Sequence, residues 1–245
     1  LFIGDSITDV RFNSHKRFSI KGKNIYALTD VGNYSLEYNM RGHINHTSPN
    51  DLMMELKDGI GACNCLARSI HIITPLLYAG RQHRRKTREN LMCGMMLHEL
   101  EEMSGMKTFI TFDAHDPGVE HALHKTEFDN FFATNVILED FINNLPPEEL
   151  EHLAFIAPDN GAVGRRDVYL NSFNKAGIDR DAGSFIKKRD YNTLVDGKYQ
   201  VIEHQYSGSS DLTGYTAIVS DDMISSGGSM FDVIDEDGNP TGLIK

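Results

Sequence analysis

The sequence contains no tryptophan, and it has three cysteines among its 245 residues. So few cysteines exclude a disulfide framework, and we expect Cys63, Cys65 and Cys93 to be reduced thiols in the core. A single residue separates Cys63 from Cys65, whereas zinc knuckles and redox pairs need a two-residue spacer. The cysteines therefore indicate neither a metal site nor a redox centre.

Long apolar runs are also missing. A membrane-spanning helix needs about 18 consecutive apolar residues, and the longest candidate, 70–79, is interrupted by His71, Thr74 and Pro75. No signal-peptide pattern follows Leu1. We therefore expect a cytoplasmic protein with no membrane partner.

Positive charge is scarce, since 24 Lys and Arg face 35 Asp and Glu and the formal net charge is -11. General nucleic-acid binders are usually basic, so we expect no nucleic-acid partner. A Gly-x-x-x-x-Gly-Lys-Ser/Thr motif is absent, which excludes a P-loop kinase. A phosphate-handling protein of this composition must concentrate its cations locally.

What the sequence does contain is an alternation of short β-rich runs with longer helical ones. The predicted strands are 24–29, 71–74, 107–112, 153–157, 184–187 and 215–220. The predicted helices are 49–67, 87–103, 133–143 and 164–175. Such alternation is typical of βαβ units, so we predict an α/β protein with mostly parallel sheets.

The polar, proline-containing stretch 143–148 is the best candidate for a domain boundary. It divides the chain into an N-terminal domain, 1–143, and a C-terminal domain, 144–245. We expect the second domain to be incomplete. Both halves carry a strand followed by an acid-rich turn, at 112–116 and at 157–161, which suggests duplication.

The most informative segment lies near the end of the chain. A predicted strand delivers Asp221 and Asp222 to its carboxyl end, where α/β sheets bind ligands. The loop Ser225, Ser226, Gly227, Gly228 and Ser229 follows and leads into an apolar segment that reads as a helix start. Such a loop can cradle phosphate, and adjacent carboxylates can bind vicinal hydroxyls, so the combination favours a phosphorylated sugar. A strand–helix turn without a ligand is the alternative.

Three further groups of residues bear on function. Five of the eight positions 81–88 are Arg or Lys, which suits a polyphosphate, although a solvated helix face or RNA binding is also compatible. His115 follows a predicted strand and could hold a divalent ion with Asp159, or could be a structural histidine. The cationic run 185–191 is predicted to begin a loop, extending to about residue 211, that closes over a site or is simply exposed.

Taken together, these segments resemble ribose-phosphate pyrophosphokinase, also called phosphoribosyl pyrophosphate synthetase. The resemblance runs from about residue 21 to residue 234. The residues within the matching blocks are those of a divergent branch of the family. It is carried by blocks in the right order, namely 78–85, 111–117, 157–161, 187–191 and the loop after Asp221.

The resemblance implies two tandem phosphoribosyltransferase-like domains of the type I, Rossmann-like fold. The implied reaction moves pyrophosphate from Mg·ATP to the C1 hydroxyl of ribose 5-phosphate, in a homo-oligomer (dimer or hexamer). The implied roles are ATP binding by Arg81, Gln82, Arg84 and His115, magnesium binding by His115 and Asp159, catalysis by Lys187 and Arg189, and ribose 5-phosphate binding by Asp221, Asp222, Ser225, Ser226, Gly227, Gly228 and Ser229.

The sequence also departs from the family pattern. The family loop usually reads Asp-Thr-x-Gly-Thr where this chain has 225–229, and the family's adenine-reading block is not found near Ser14. We expect the sequence to be incomplete at one or more points, and residues missing near Ser14 would account for the absent block. A non-catalytic regulatory paralogue that binds nucleotide or phosphosugar is the alternative function.

Overall fold

The computed structural model describes residues 2–3, 10–11, 19–63, 66–85, 88, 90–103, 105–175, 177–195, 198–208, 212 and 214–224. Backbone contacts divide the chain into two compact units, Leu1–Phe132 and Ala133–Lys245. The boundary predicted after residue 143 places the helix Thr134–Asn144 at the end of the first domain, whereas the backbone contacts place this helix in the second unit. Each unit is described by itself.

The first unit contains a four-stranded parallel sheet in the order β3-β6-β7-β8 and two antiparallel pairs, β1-β2 and β4-β5. Its elements are β1 Phe2–Ile3, β2 Val10–Arg11, β3 Asn24–Leu28, β4 Glu37–Met40, β5 His43–His46, α1 Pro49–Ala62, β6 Ser69–Thr74, α2 Met92–Met103, β7 Met106–Phe112 and β8 Glu127–Phe131.

Helix α1 begins where the sequence predicts. Ser48 and Asp51 form a capping box, and Pro49 occupies the first turn, where a missing N–H costs nothing. The predicted end at residue 67 is wrong, because the helix stops at Ala62 and the chain closes with a hydrogen bond from Cys63 N to Ile60 O. The predicted start of α2 at residue 87 is wrong too, since the helix begins at Met92.

Both helices bury their apolar stripes against one face of the first sheet. Leu56 of α1 and Leu97 of α2 belong to the same core cluster as Ile72 and Phe109 of the central strands. This arrangement is expected because right-handed crossovers between strands added in one direction put every helix on the same side. All four loops at the carboxyl ends of the strands consequently emerge at one edge.

The second unit has a four-stranded sheet in the order β11-β10-β9-β12, in which β10 and β12 pair with β9 in parallel and β11 pairs with β10 antiparallel. Its elements are α3 Thr134–Asn144, α4 Pro147–Glu151, β9 Leu153–Ala157, α5 Val163–Lys175, β10 Asp181–Val195, β11 Lys198–Gly208 and β12 Thr216–Val219. Short 3₁₀ helices follow β7 and β9, at Pro117–Ala122 and Asn160–Ala162.

Several predictions from the sequence are confirmed. Strand β9 has the predicted bounds, and β3, β7 and β12 agree within one residue at each end. Cys63 and Cys93 are free and buried, and burial raises the pKa of Cys93 to about 12. In the part of the chain that the structure describes, no helix is long and apolar enough to cross a membrane.

The loop predicted from residue 185 to about residue 211 is wrong. Strand β10 continues to Val195 and pairs with β11 as an antiparallel ribbon beyond the last residue that pairs with β9, Ser184. A two-stranded ribbon needs no apolar face of its own where it leaves the sheet. Its charged sequence therefore reads as a loop, and β11 is missed with it, as are β4, β5 and β8.

Two glycines at the base of this ribbon make room for one aromatic ring. Gly183 and Gly208 are directly opposite each other, and a Cβ on either would overlap the ring of Tyr206. The ring packs edge-on against buried Phe185, at 5.7 Å between centroids. Arg166 Nη1 also donates to Gly183 O at 2.9 Å, so the start of the ribbon is held to α5.

We therefore expect Gly183→Ala to destabilise the protein by about 1–3 kcal/mol, as overpacked core substitutions do. The free energy of unfolding in urea measures this effect. Gly164→Ala is the matched control, because a Cβ there meets no atom within 4 Å, and we expect it to be neutral or slightly stabilising. In a Tyr206→Ala background the Gly183→Ala cost should largely disappear. An unchanged cost would show that the ring is not its cause.

Candidate active site

The second sheet reverses its strand order around β9. From β9 the chain passes to β10 on one side, and after the ribbon it returns to β12 on the other side. The carboxyl end of β9 is thus a topological switch point, the place where open α/β sheets form a ligand crevice. Asp159 follows β9 here, and Asp221 follows β12.

Asp159 is held rigidly by the backbone. Its Oδ1 accepts from Gly161 N at 2.8 Å and from Ala162 N at 3.2 Å, so it caps the 3₁₀ helix after β9. A Cβ on Gly161 would lie 3.1 Å from that oxygen, so a residue without a side chain suits the position. The cap presents the Asp159 carboxylate at the edge of the sheet.

Asp221 and Asp222 lie at the same edge. Ser220 N donates to Ile156 O at 3.4 Å, which extends the β12–β9 pairing up to these acids, and Asp222 N donates to Asp221 Oδ1 at 2.9 Å. Partial burial raises the pKa of Asp221 to about 6, with further contributions from Asp222 and from the charge of Asp159. Negative charge is therefore concentrated at the switch point.

A divalent cation fits these donors. Carboxylate oxygens are the ligands that Mg²⁺ prefers, and a cation would stabilise the ionised form of Asp221, whose pKa is raised mainly by burial and further by the neighbouring acids. Vicinal hydroxyls, which donate hydrogen bonds, also fit carboxylate acceptors. Phosphate does not, because its own negative charge would be repelled.

The predicted catalytic cations start from the same edge. Ser184 is the last residue of β10 that pairs with β9, opposite Ala157, and Lys187 follows three residues later. Three extended residues span roughly 10 Å. Lys187 pairs with His204 and Arg189 with Val201, and a register shift falls between Lys188 and Arg189. Only the backbone of this part of the ribbon is described.

The predicted phosphate cradle lies outside the described residues. It comprises Ser225, Ser226, Gly227, Gly228 and Ser229. The roles assigned to these positions stay predictions.

In the first unit, the loop after β6 carries the predicted ATP-binding residues Arg81, Gln82 and Arg84, all of them exposed. Ala79 has a φ of 53°, a left-handed conformation that is uncommon for residues other than glycine. Gln82 N donates to Ala79 O at 2.8 Å and so closes a turn. The turn places these side chains at the carboxyl edge of the sheet.

The loop after the neighbouring strand β7 carries His115. Asp113, with a φ of 47°, donates its N–H to Phe131 O at 2.9 Å, and Ala114 N donates to Asn130 Oδ1 at 3.0 Å. Both acceptors belong to the end of β8. The loop is thereby fixed on the sheet, and His115 is exposed at the same edge as Arg81.

His83 joins these two loops, although the sequence assigns it no role. Its Nε2 lies 3.3 Å from Asp116 Oδ2, and its ring centroid is 5.1 Å from that of His115. The sequence shows His83 only as part of a cationic run. Its partner comes from another strand, so only the parallel pairing of β6 with β7 reveals the contact.

Another cluster in this unit has a structural explanation. His98, Glu101 and Glu102 have ligand atoms within 4.8 Å of one another. The buried Glu101 carboxylate, however, accepts from the backbone N–H groups of His124 and Lys125, and Glu102 pairs with Lys125 Nζ at 2.7 Å. Burial alone would raise the pKa of Glu101, but these donors outweigh it and hold the pKa below its usual value. The cluster anchors the chain that leads into β8.

Both units are α/β with mostly parallel sheets and polar loops at the carboxyl ends of the parallel strands, which is consistent with a phosphoribosyltransferase-like fold. The crystal structure of phosphoribosylpyrophosphate synthetase from Mycobacterium smegmatis matches with a TM-score of 0.65 at 16% identity, covering 89% of this chain and 78% of that chain. At this identity the likeness shows the fold alone. No protein-family model matches the chain.

Curated sequences named ribose-phosphate pyrophosphokinase are also similar. Those of Prochlorococcus marinus and a Nostoc strain are each 25% identical over 182 residues, which cover 74% of this chain and 50% of theirs. That of Staphylococcus epidermidis is 25% identical over 179 residues, or 73% and 51%. The chain thus spans about half the length of the curated relatives it matches. The predicted resemblance is confirmed, and the chain is a divergent protein similar to phosphoribosylpyrophosphate synthetases.

The raised pKa of Asp221 makes a prediction about stability. Because the pKa in the folded protein lies above the ordinary value of 3.8, the ionised carboxylate destabilises the fold above about pH 6, and this cost fades as the pH falls towards 4. Asp221→Asn should therefore stabilise the protein at pH 7.5 by roughly 1 kcal/mol, after allowance for solvent screening of a half-exposed group. At pH 4 the variant and the wild type should differ little.

Urea unfolding in the presence of a chelator at both pH values measures this difference. Asp179→Asn, an exposed aspartate of the same unit, controls for removal of a carboxylate as such. An Asp221→Asn protein that is less stable than the wild type at pH 7.5 would contradict the interpretation of the acidic cluster.

Proposed function

We propose that the protein is a ribose-phosphate diphosphokinase that transfers pyrophosphate from Mg·ATP to the C1 hydroxyl of ribose 5-phosphate, giving phosphoribosyl pyrophosphate and AMP. The observation that carries the proposal is the convergence of Asp159 and Asp221 at the topological switch point, from which β10 continues to Lys187. The similarity to proteins named ribose-phosphate pyrophosphokinase supports the same reaction.

The acceptor sugar is assigned to the second unit. Asp221 and Asp222 offer carboxylate oxygens to the ribose hydroxyls, and the switch point supplies a crevice for the ring. The 5-phosphate is assigned to the loop 225–229, whose hydroxyls and glycine N–H groups suit an anion that the acids themselves would repel. The acids are thus assigned to the hydroxyls of the sugar and the loop to its phosphate, because only the hydroxyls are not repelled by carboxylates.

The donor nucleotide is assigned to the first unit. Arg81 and Arg84 are exposed at the carboxyl edge of the parallel sheet, where guanidinium groups can bind phosphate oxygens in pairs. His115 lies on the neighbouring loop. In a chain of net charge -11, this edge combines a local excess of cations with a rigid backbone.

Catalysis of this kind depends on positioning and on neutralising charge. Lys187 and Arg189 would stabilise the negative charge that grows on the transferred and leaving phosphates. Asp159 would hold Mg²⁺ in the second unit, and when bound the ion would neutralise negative charge on the phosphate oxygens. The residues nominate no dedicated general base. A homo-oligomer in the cytoplasm is the proposed setting.

The reaction predicts that AMP forms from ATP only when ribose 5-phosphate and Mg²⁺ are both present. A coupled assay of AMP release measures it, with either component omitted as the control. If the protein binds Mg·ATP and ribose 5-phosphate but releases no AMP, a non-catalytic paralogue that binds the same ligands explains it better.

Lys187→Ala tests the catalytic assignment. We expect turnover to fall by at least about a hundredfold, because a cation facing the transferred phosphates is lost, while the thermal unfolding temperature stays unchanged. Lys188→Ala is the matched control on the same strand and should keep nearly full turnover. Equal losses in the two variants would contradict a specific role for Lys187.

A further inference from the structure

His83 occupies an unusual position between the two donor-side loops. Its side chain is 10% exposed, while Arg81 and Gln82 just before it are exposed. The chain therefore turns inward at His83 and outward again at Arg84. A cation-rich surface run does not need such a turn for solvation.

The Asp116 carboxylate, which lies beside His83, also accepts a hydrogen bond from the backbone. Asp116 Oδ1 accepts from Gly118 N at 2.8 Å and caps the 3₁₀ helix after β7, while Oδ2 lies 3.3 Å from His83 Nε2. Each oxygen thus has a separate partner. Asp116 connects the loop after β6 to the helix cap after β7 through one rigid group.

The two ends of this connection carry the residues assigned to the nucleotide. Arg81 lies two residues before His83, and His115 lies immediately before Asp116. The His83 and His115 rings are 5.1 Å apart at an angle of 56°, so the two loops also touch through side chains. Moving His83 would change the separation between Arg81 and His115.

We propose that His83 is a positioning residue for the donor nucleotide: acting through Asp116, it holds the loop of Arg81 at a fixed distance from the loop of His115. The inference rests on the proposed function, because it takes the ligand between these loops to be a Mg·nucleoside triphosphate. His83 does not touch the reacting atoms. It pre-organises residues that do, so its loss weakens nucleotide binding and leaves the acceptor site unchanged.

His83→Leu tests the proposal, with binding measured by calorimetry using a non-hydrolysable ATP analogue and Mg²⁺. We expect the dissociation constant of the analogue to rise about ten- to a hundredfold, while that of ribose 5-phosphate and the unfolding temperature stay at wild-type values. His83→Gln should restore most of the affinity, because its amide nitrogen reaches about as far as Nε2. His121→Leu, which removes an exposed histidine of the same unit, should change neither constant.

A double-mutant cycle that combines His83→Leu with Asp116→Asn tests whether His83 acts through Asp116. If His83 acts through Asp116, the two substitutions will be strongly non-additive in the dissociation constant of the analogue. Additive effects, an unaffected His83→Leu protein, equal losses for both ligands, or a wild type that does not bind the analogue would each overturn the proposal. A wild type that binds the analogue but releases no AMP would refute the proposed reaction and leave this inference standing.

Discussion

The burial of β9 is the constraint on which the second unit depends. All five of its residues have no exposed surface, because α3 and α5 cover one face, the cluster of Phe185, Leu212 and Tyr206 lies on the other, and parallel strands flank both edges. A strand enclosed in this way cannot slip in register without exposing apolar side chains or breaking both ladders. Its carboxyl end is therefore a fixed point. Three segments of chain, leading to Asp159, Asp221 and Lys187, are placed relative to it.

In each unit, an aspartate that follows a parallel strand caps a short 3₁₀ helix. Asp116 after β7 and Asp159 after β9 each accept a 2.8 Å hydrogen bond from the glycine N–H two residues further on. Each carboxylate caps a 3₁₀ helix, so both loops are stiff without a long helix behind them. The likeness of the two acid-rich turns, visible in the sequence, thus has a physical counterpart in the structure.

Prediction from the sequence succeeds where a single chain segment determines its own structure. Strand β9 is entirely apolar and α1 carries its own cap, so their positions can be read locally. It fails where the partner lies elsewhere: β10 and β11 stabilise each other by backbone pairing, which charged side chains do not reveal. His83 is missed for the same reason, because its environment comes from Asp116 in the loop after the neighbouring strand β7. The acids after β9 and β12 are found since parallel strands end at one edge.

Charge distinguishes the two candidate sites. The second unit concentrates carboxylates at its switch point, and partial burial, with a further contribution from Asp222 and Asp159, raises the pKa of Asp221 above that of an ordinary aspartate. Such a site repels free phosphate and favours hydroxyls or a cation. The first unit presents Arg81 and Arg84 at its carboxyl edge, which favours polyphosphate. Among the described residues, the acids after β9 and β12 therefore suit hydroxyls or a cation, whereas the arginines after β6 suit phosphate oxygens, so the two groups differ in the ligand chemistry that they favour.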